Sequence, residues 1–224
     1  VTSVVWVLFM KADGTVKDTQ EISEGYGGFG GTLTADENFG DRVESLGRSQ
    51  FNDSGEEYAV LAVGARKHDH PDKSDVGGVW ILYLDNSGTV AHEQLITYST
   101  GNFPVSLSVG DQFGAGLANL GDLDNNGVAD LVVGEIDDMD GGQSAGAVWL
   151  LSMKSNGQIK GGEGGLVKIT ENQIGFGGNL EPDDHFGRGL AVLAPPAASG
   201  EESVRIAVGA TGDNAHHFVA FRPA

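Results

Sequence analysis

The chain repeats itself, and this restricts its fold more than any other property of the sequence. Trp6 and Trp80 lie 74 residues apart, as do Phe39-Gly40 and Phe113-Gly114. Segments 11–40 and 85–114 align without a gap and agree at ten of thirty positions. The matches are Gly14/Gly88, Thr15/Thr89, Val16/Val90, Gln20/Gln94, Ile22/Ile96, Gly27/Gly101, Phe29/Phe103, Leu33/Leu107, Phe39/Phe113 and Gly40/Gly114. A third, looser copy places Trp149 69 residues after Trp80 and Phe186-Gly187 73 residues after Phe113-Gly114. It keeps Gly157, Ile169, Phe176 and Leu180, and carries a glycine-rich insertion near Gly161–Gly165. A unit of this size that recurs at a fixed period buries its apolar faces against its neighbours.

Each copy reads as four short strands. The first follows the Phe-Gly pair, at Phe39–Leu46, Phe113–Leu120 and Phe186–Leu193. The second ends in Val-Gly, at Tyr58–Gly64, Asp130–Gly134 and Val204–Gly209. The third is an aromatic run, at Val79–Leu84 and Ala147–Leu151, with Val4–Met10 and His217–Phe221 as its copies near the two ends. The fourth follows a turn, at Val16–Ile22, Val90–Thr97 and Ile159–Thr170. Asp13-Gly14, Ser87-Gly88 and Asn156-Gly157 read as hairpin turns, because glycine accepts the positive φ such turns need. No sustained 3.6-residue apolar period is present, so helix is expected to be scarce.

The predicted fold class is therefore all-β, with blades of four antiparallel strands arranged as a β-propeller. A parallel solenoid is the rival, but its repeats are usually shorter and seldom contain two hairpins. Residues 1–224 read as one module: 1–38 the end of a first blade and its link, 39–112 the first repeat, 113–185 the second, and 186–224 a partial third. The strands fall into sets of two, four, four and three, about three blades with an orphan pair at one end. Such a ring is incomplete, to be completed by oligomerisation or by a longer chain; strand donation between copies would close a ring or propagate a filament.

Composition narrows the function. Among 224 residues there are 32 acidic and 13 basic side chains, a net charge of −19. That argues against nucleic acid, which needs clustered Lys and Arg, and against anionic membranes. No apolar stretch is long enough to span a bilayer, so direct insertion is not expected. The 36 glycines, about 16% against the usual ~7%, lack the three-residue period of collagen. The absence of cysteine excludes disulfides, thiolate metal sites and cysteine nucleophiles. The numbering opens at Val1 without a signal peptide, so any export signal is expected to have been removed or to lie outside this chain.

One loop carries metal chemistry. Asp122, Asp124, Asn126 and Asp130 take positions 1, 3, 5 and 9, with the Val128 carbonyl at position 7 and Gly127 allowing a sharp bend. Three carboxylates, an amide oxygen and a backbone oxygen form a hard oxygen shell suited to Ca²⁺. The plain alternative is an acidic turn that binds nothing. The other copies have lost this set: Val60 and Arg205 stand at the closing position, and Ala194-Pro195-Pro196-Ala197-Ala198 replaces the acids of the third. One calcium is expected, not three.

The run from Phe113-Gly114 through Leu120, then Gly121-Asp122-Leu123-Asp124-Asn125-Asn126-Gly127-Val128-Ala129-Asp130-Leu131-Val132-Val133-Gly134, resembles an FG-GAP repeat, the blade unit of integrin α-subunit propellers and of many bacterial secreted or surface proteins. The resemblance covers nearly the whole chain, as one strong copy, two degraded copies and end fragments. It implies a propeller, calcium in selected blades, and an extracellular or cell-surface location. It does not specify a ligand, since one fold hosts many functions.

The remaining candidates have ordinary readings. His68-Asp69-His70-Pro71-Asp72-Lys73-Ser74-Asp75 and Asp137-Asp138-Met139-Asp140 follow the Val-Gly pairs and read as solvated loops, with a ligand rim or a weak cation site at His68, His70 and Asp72 as the functional alternative. His216 and His217 are adjacent on a strand and point to opposite faces, while His92 and His185 read as structural. Trp6, Trp80 and Trp149 read as packing between repeats. No nucleophile elbow, His-Glu-x-x-His or phosphate loop is present, so an enzyme is not expected. The expected function is a calcium-binding adhesion or self-assembly module whose partners are further copies or a surface protein or glycan. A lectin-like propeller and a hydrolase or lyase acting at a propeller mouth are the alternatives.

Overall fold

The computed structural model describes residues 3–34, 36–140, 143–161, 164–171, 176–193 and 204–212. Among them there is no helix, and hence none long and apolar enough to cross a membrane. Twelve strands form four antiparallel sheets. The first sheet pairs β1 (Val5–Met10) with β2 (Val16–Ile22). The second runs β3 (Arg42–Gln50), β4 (Glu57–Ala65), β5 (Gly78–Leu84) and β6 (Val90–Ile96) in sequential order. The third repeats it with β7 (Phe113–Gly121), β8 (Asp130–Glu135), β9 (Ala147–Leu151) and β10 (Leu166–Ile169). The fourth pairs β11 (Phe186–Leu193) with β12 (Arg205–Ala210).

Three hairpins are built alike. At Lys11–Thr15, Asp85–Thr89 and Lys154–Gln158 the first amide donates to the fifth carbonyl at 2.8–2.9 Å, and the glycine amide donates back to the first carbonyl. This is a type I turn closed by a left-handed glycine, whose φ is 84° at Gly14, 77° at Gly88 and 76° at Gly157. Asp13, Asp85 and Asn156 side chains accept backbone amides across the same turns.

Two expected strands are revised. Phe39-Gly40 precedes β3 in a turn rather than opening it, and β3 runs on to Gln50 because no metal loop interrupts it. The span Ile159–Thr170 is not one strand: Ile159 makes a single bridge to Met153, the glycine-rich stretch intervenes, and only Leu166–Ile169 joins the sheet. The expected strand His217–Phe221, together with His216 and the Ala194–Ala198 loop, lies outside the described residues.

A core separates each neighbouring pair of sheets. The one between the second and third sheets includes Val60, Ile81, Tyr83, Leu131, Val133 and Leu151. Its counterparts hold Val5, Ile22, Val63 and Leu82 on one side, and Leu120, Val132, Val148 and Phe186 on the other. Alternate residues of β4 and β8 thus face opposite cores, which explains why both strands read as nearly unbroken apolar runs.

Each core is keyed by an aromatic from the link that precedes a Phe-Gly pair. Phe29 lies 5.3 Å from Phe39 and 4.9 Å from Trp80, centroid to centroid. Phe103 repeats this with Phe113 at 5.0 Å and Trp149 at 5.3 Å. Trp6 departs from the expected packing role. It is 53% exposed, because among the described residues no link aromatic covers it.

At the seams the backbones themselves touch. Gly77 bridges to Phe113 and Gly146 to Phe186, both parallel, tying each sheet to the strand that opens the next. An ideal Cβ on Gly64 would lie 2.3 Å from the Gly114 carbonyl oxygen, and one on Gly134 would lie 2.0 Å from that of Gly187. The φ of Gly134 is not in the left-handed region, so its requirement is purely steric. Gly134→Ala is expected to cost about 3 kcal/mol, at the upper end of overpacking penalties. Urea denaturation would measure this, with Gly177→Ala, whose Cβ position has nothing within 4 Å, as the near-neutral comparison.

Candidate metal centre and the buried acids

The loop between β7 and β8 is fixed by its own carboxylates. Asp122 accepts the amides of Asn126 at 3.0 Å and Gly127 at 2.8 Å, so residue 122 wraps the chain around itself. Asn125, at φ 55°, and Gly127, at φ 84°, make the bend. Asn126 Oδ1 accepts the Val128 amide, and its Nδ2 donates to the Met153 carbonyl. Asp130 opens β8 and is 1% exposed. Its two oxygens accept the amides of Met153 at 2.8 Å and Leu123 at 2.9 Å, pinning both ends of the loop to the β9–β10 connection. Below, Val128 and Ala129 pack onto the central core.

The sequence-predicted residues therefore come together in part. Oxygens of Asp122, Asp124 and Asp130 lie within 4.8 Å of one another, and no other such trio of acids or histidines occurs among the described residues. Asn126 and Val128 lie on the same loop. Burial pushes the Asp130 carboxyl above the ordinary carboxylate range, partly offset by its two amide donors, with Asp124 and Asp122 adding repulsion. Converging carboxylates suit a divalent cation, which replaces their mutual repulsion with attraction. Each oxygen that accepts an amide retains a second lone pair, so the donor set fits a hard cation.

The His68/His70/Asp72 alternative does not assemble. His68 Nδ1 pairs with the buried Glu37 at 3.0 Å, while His70 packs on Tyr98 and its Nδ1 accepts the Asp72 amide. His92 is structural, stacked on Phe51 at 3.9 Å. His185 pairs with Asp137 at 2.9 Å.

The second acidic loop is solvated only at Met139 and Asp140. Asp138 is buried, and Lys168 of β10 reaches its Oδ1, Asp140 Oδ2 at 2.6 Å and the buried Glu135 at 3.7 Å. Glu135 also accepts the Trp149 indole N–H. The corresponding position in the second sheet is Ala65, and there Trp80 Nε1 has no partner among the described residues. A further acid, two residues before each Phe-Gly, escaped the sequence reading: Glu37, Asp111 and Asp184 are all buried. The backbone carbonyls of all three accept an amide from the segment after the Val-Gly strand, those of Lys67, Asp137 and Gly212. Their fixed offset in all three copies was the available signal.

Burial drives Glu135 and Asp138 above their ordinary ranges, with Lys168 pulling both back. Burial alone would depress Lys168, but Glu135 and Asp138 outweigh it and raise it. Lys168→Met is expected to cost about 3 kcal/mol by leaving buried carboxylates uncompensated. A carboxyl raised on folding contributes stability that is present at low pH and lost as pH rises. The variant should therefore regain stability between pH 7 and pH ~5 more steeply than the parent chain, as read by urea unfolding at several pH values.

No protein-family model matches the chain, and no curated protein matches it.

Proposed function

We propose that the chain is a non-enzymatic, calcium-stabilised module of the FG-GAP type, whose sheets are propeller blades and which acts outside the cell in adhesion or self-assembly. The observation that carries this reading is the convergence of Asp122, Asp124 and Asp130 in a loop set between two sheet strands. Asn126 and the Val128 carbonyl complete the proposed ligand set. Bound there, calcium supplies a positive charge that joins the two strands through one loop, giving rigidity rather than reactivity. The Phe-Gly pairs, which recur at the same seam, support the FG-GAP assignment.

Self-association is supported at the outer sheets. Trp6, Leu8 and Met10 present an exposed apolar row on β1. At the other end, Gly189 occupies the seam position that in the third sheet belongs to Gly116, where the Gly187 oxygen comes within 2.1 Å of an ideal Cβ. Around Gly189 that space is open among the described residues. The seat has the shape of a Phe-Gly turn, which a second copy carries at Phe39-Gly40.

Calcium at a hundredfold excess over its dissociation constant is expected to stabilise the fold by about 2.7 kcal/mol, or roughly 5–10 °C in midpoint for a chain of this size. Asp122→Asn should abolish the shift in thermal unfolding with and without chelator. No shift in the parent chain would overturn the calcium reading. Light scattering on the same samples tests assembly: particles that dissociate in chelator are expected, and a monomer in both conditions would overturn self-assembly.

A further inference from the structure

We infer that Lys160 is a tethered cation that competes with calcium for the acidic loop, setting the affinity of the site and holding the loop in shape when calcium is scarce. This rests on the calcium reading above. Lys160 lies thirty residues beyond Asp130, yet its Nζ is 2.7 Å from Asp124 Oδ2. Its backbone is anchored: the Lys160 amide donates to Ser152 at 2.7 Å, and the neighbouring Ile159 amide donates to Gly101 at 3.0 Å. The Ile159 carbonyl in turn accepts Asn102 Nδ2 at 2.9 Å. The ammonium is therefore delivered to the loop by a fixed stem, and its side chain is about half exposed, free to swing into solvent.

The second sheet sharpens the argument. The turn glycines Gly88 and Gly157 align the hairpins, which places Ala91 at the position of Lys160. The loop of that same sheet has Val60 where Asp130 stands, and no acidic trio. The acids and the lysine are thus absent together from the second sheet, while the first hairpin carries Lys17 at the aligned position after Gly14. Of the three converging carboxylates, Asp122 and Asp130 are each held in place by two backbone amides. Asp124 alone takes its partner from a side chain that can leave. A divalent ion with no fixed stem must displace a monovalent one that has it, so local concentration favours the lysine and charge favours the metal.

The test is calorimetric titration of CaCl₂ into the full chain and into Lys160→Met and Lys160→Gln, with midpoints of unfolding in chelator as a second readout. Both variants should bind calcium about tenfold more tightly than the parent and unfold at lower temperature in chelator. Equal or weaker affinity in folded variants, against a parent that binds, would overturn the role of Lys160 and leave the calcium site standing. No binding heat in any of the three would overturn the calcium reading itself, and this inference with it. Far-UV circular dichroism identifies a variant that fails to fold, and the remaining one decides.

Discussion

The fold depends on how closely the backbones of successive sheets approach. At each inner seam a glycine of one sheet lies against a backbone carbonyl of the next, as Gly64 does with Gly114 and Gly134 with Gly187. No other residue fits that distance. Once the backbones touch, the large side chains are displaced to the two flanks, where Phe29 and Phe103 fill the wedge against Trp80 and Trp149. The glycine content of the sequence is thus not a mark of flexibility. Much of it defines a contact surface, and the cores follow from where that surface lies.

The same seam explains the acids. Segments that leave a seam must satisfy their backbone groups without a sheet partner, and buried carboxylates beside two of the three Phe-Gly pairs do this. Asp111 accepts the Ser108 amide and Asp184 the Glu181 amide, each three residues back, closing the turn that delivers the phenylalanine. The acidic loop between β7 and β8 uses the same device with more charge. Amide donors hold Asp122 and Asp130, and the shape they impose leaves Asp124 facing a partner from elsewhere.

Much of the architecture was legible because it is written in local pattern. The bounds of β2, β9 and β11 follow from the landmarks of the repeat, a turn glycine, an aromatic run and a Phe-Gly pair, and the three hairpins follow from a glycine at one offset. The clustering of Asp122, Asp124 and Asp130 was legible for the same reason, since all lie on one short loop. What escaped was set by distant partners. Nothing near Asp138 in sequence announces Lys168, thirty residues on, so a buried ion cluster read as a solvated run. Trp6 shares its strand position with two buried tryptophans, yet its exposure depends on an aromatic supplied by another segment.

A net charge of −19 with only 13 basic residues makes the placement of each cation consequential. Arg66 pairs with Asp41 and reaches across a seam to Gln112, which in turn meets Asp137. Lys168 answers three acids at once, and Lys160 answers the loop. The two lysines differ in what surrounds the pair. Lys168 is sandwiched between the Trp149 ring and buried carboxylates, where water cannot replace it. Lys160 sits at the surface, where solvent can hydrate the ammonium and another cation can take its place. Burial therefore separates the two roles. One acidic cluster is locked by its lysine and contributes rigidity, and the other is lent a lysine and remains open to exchange.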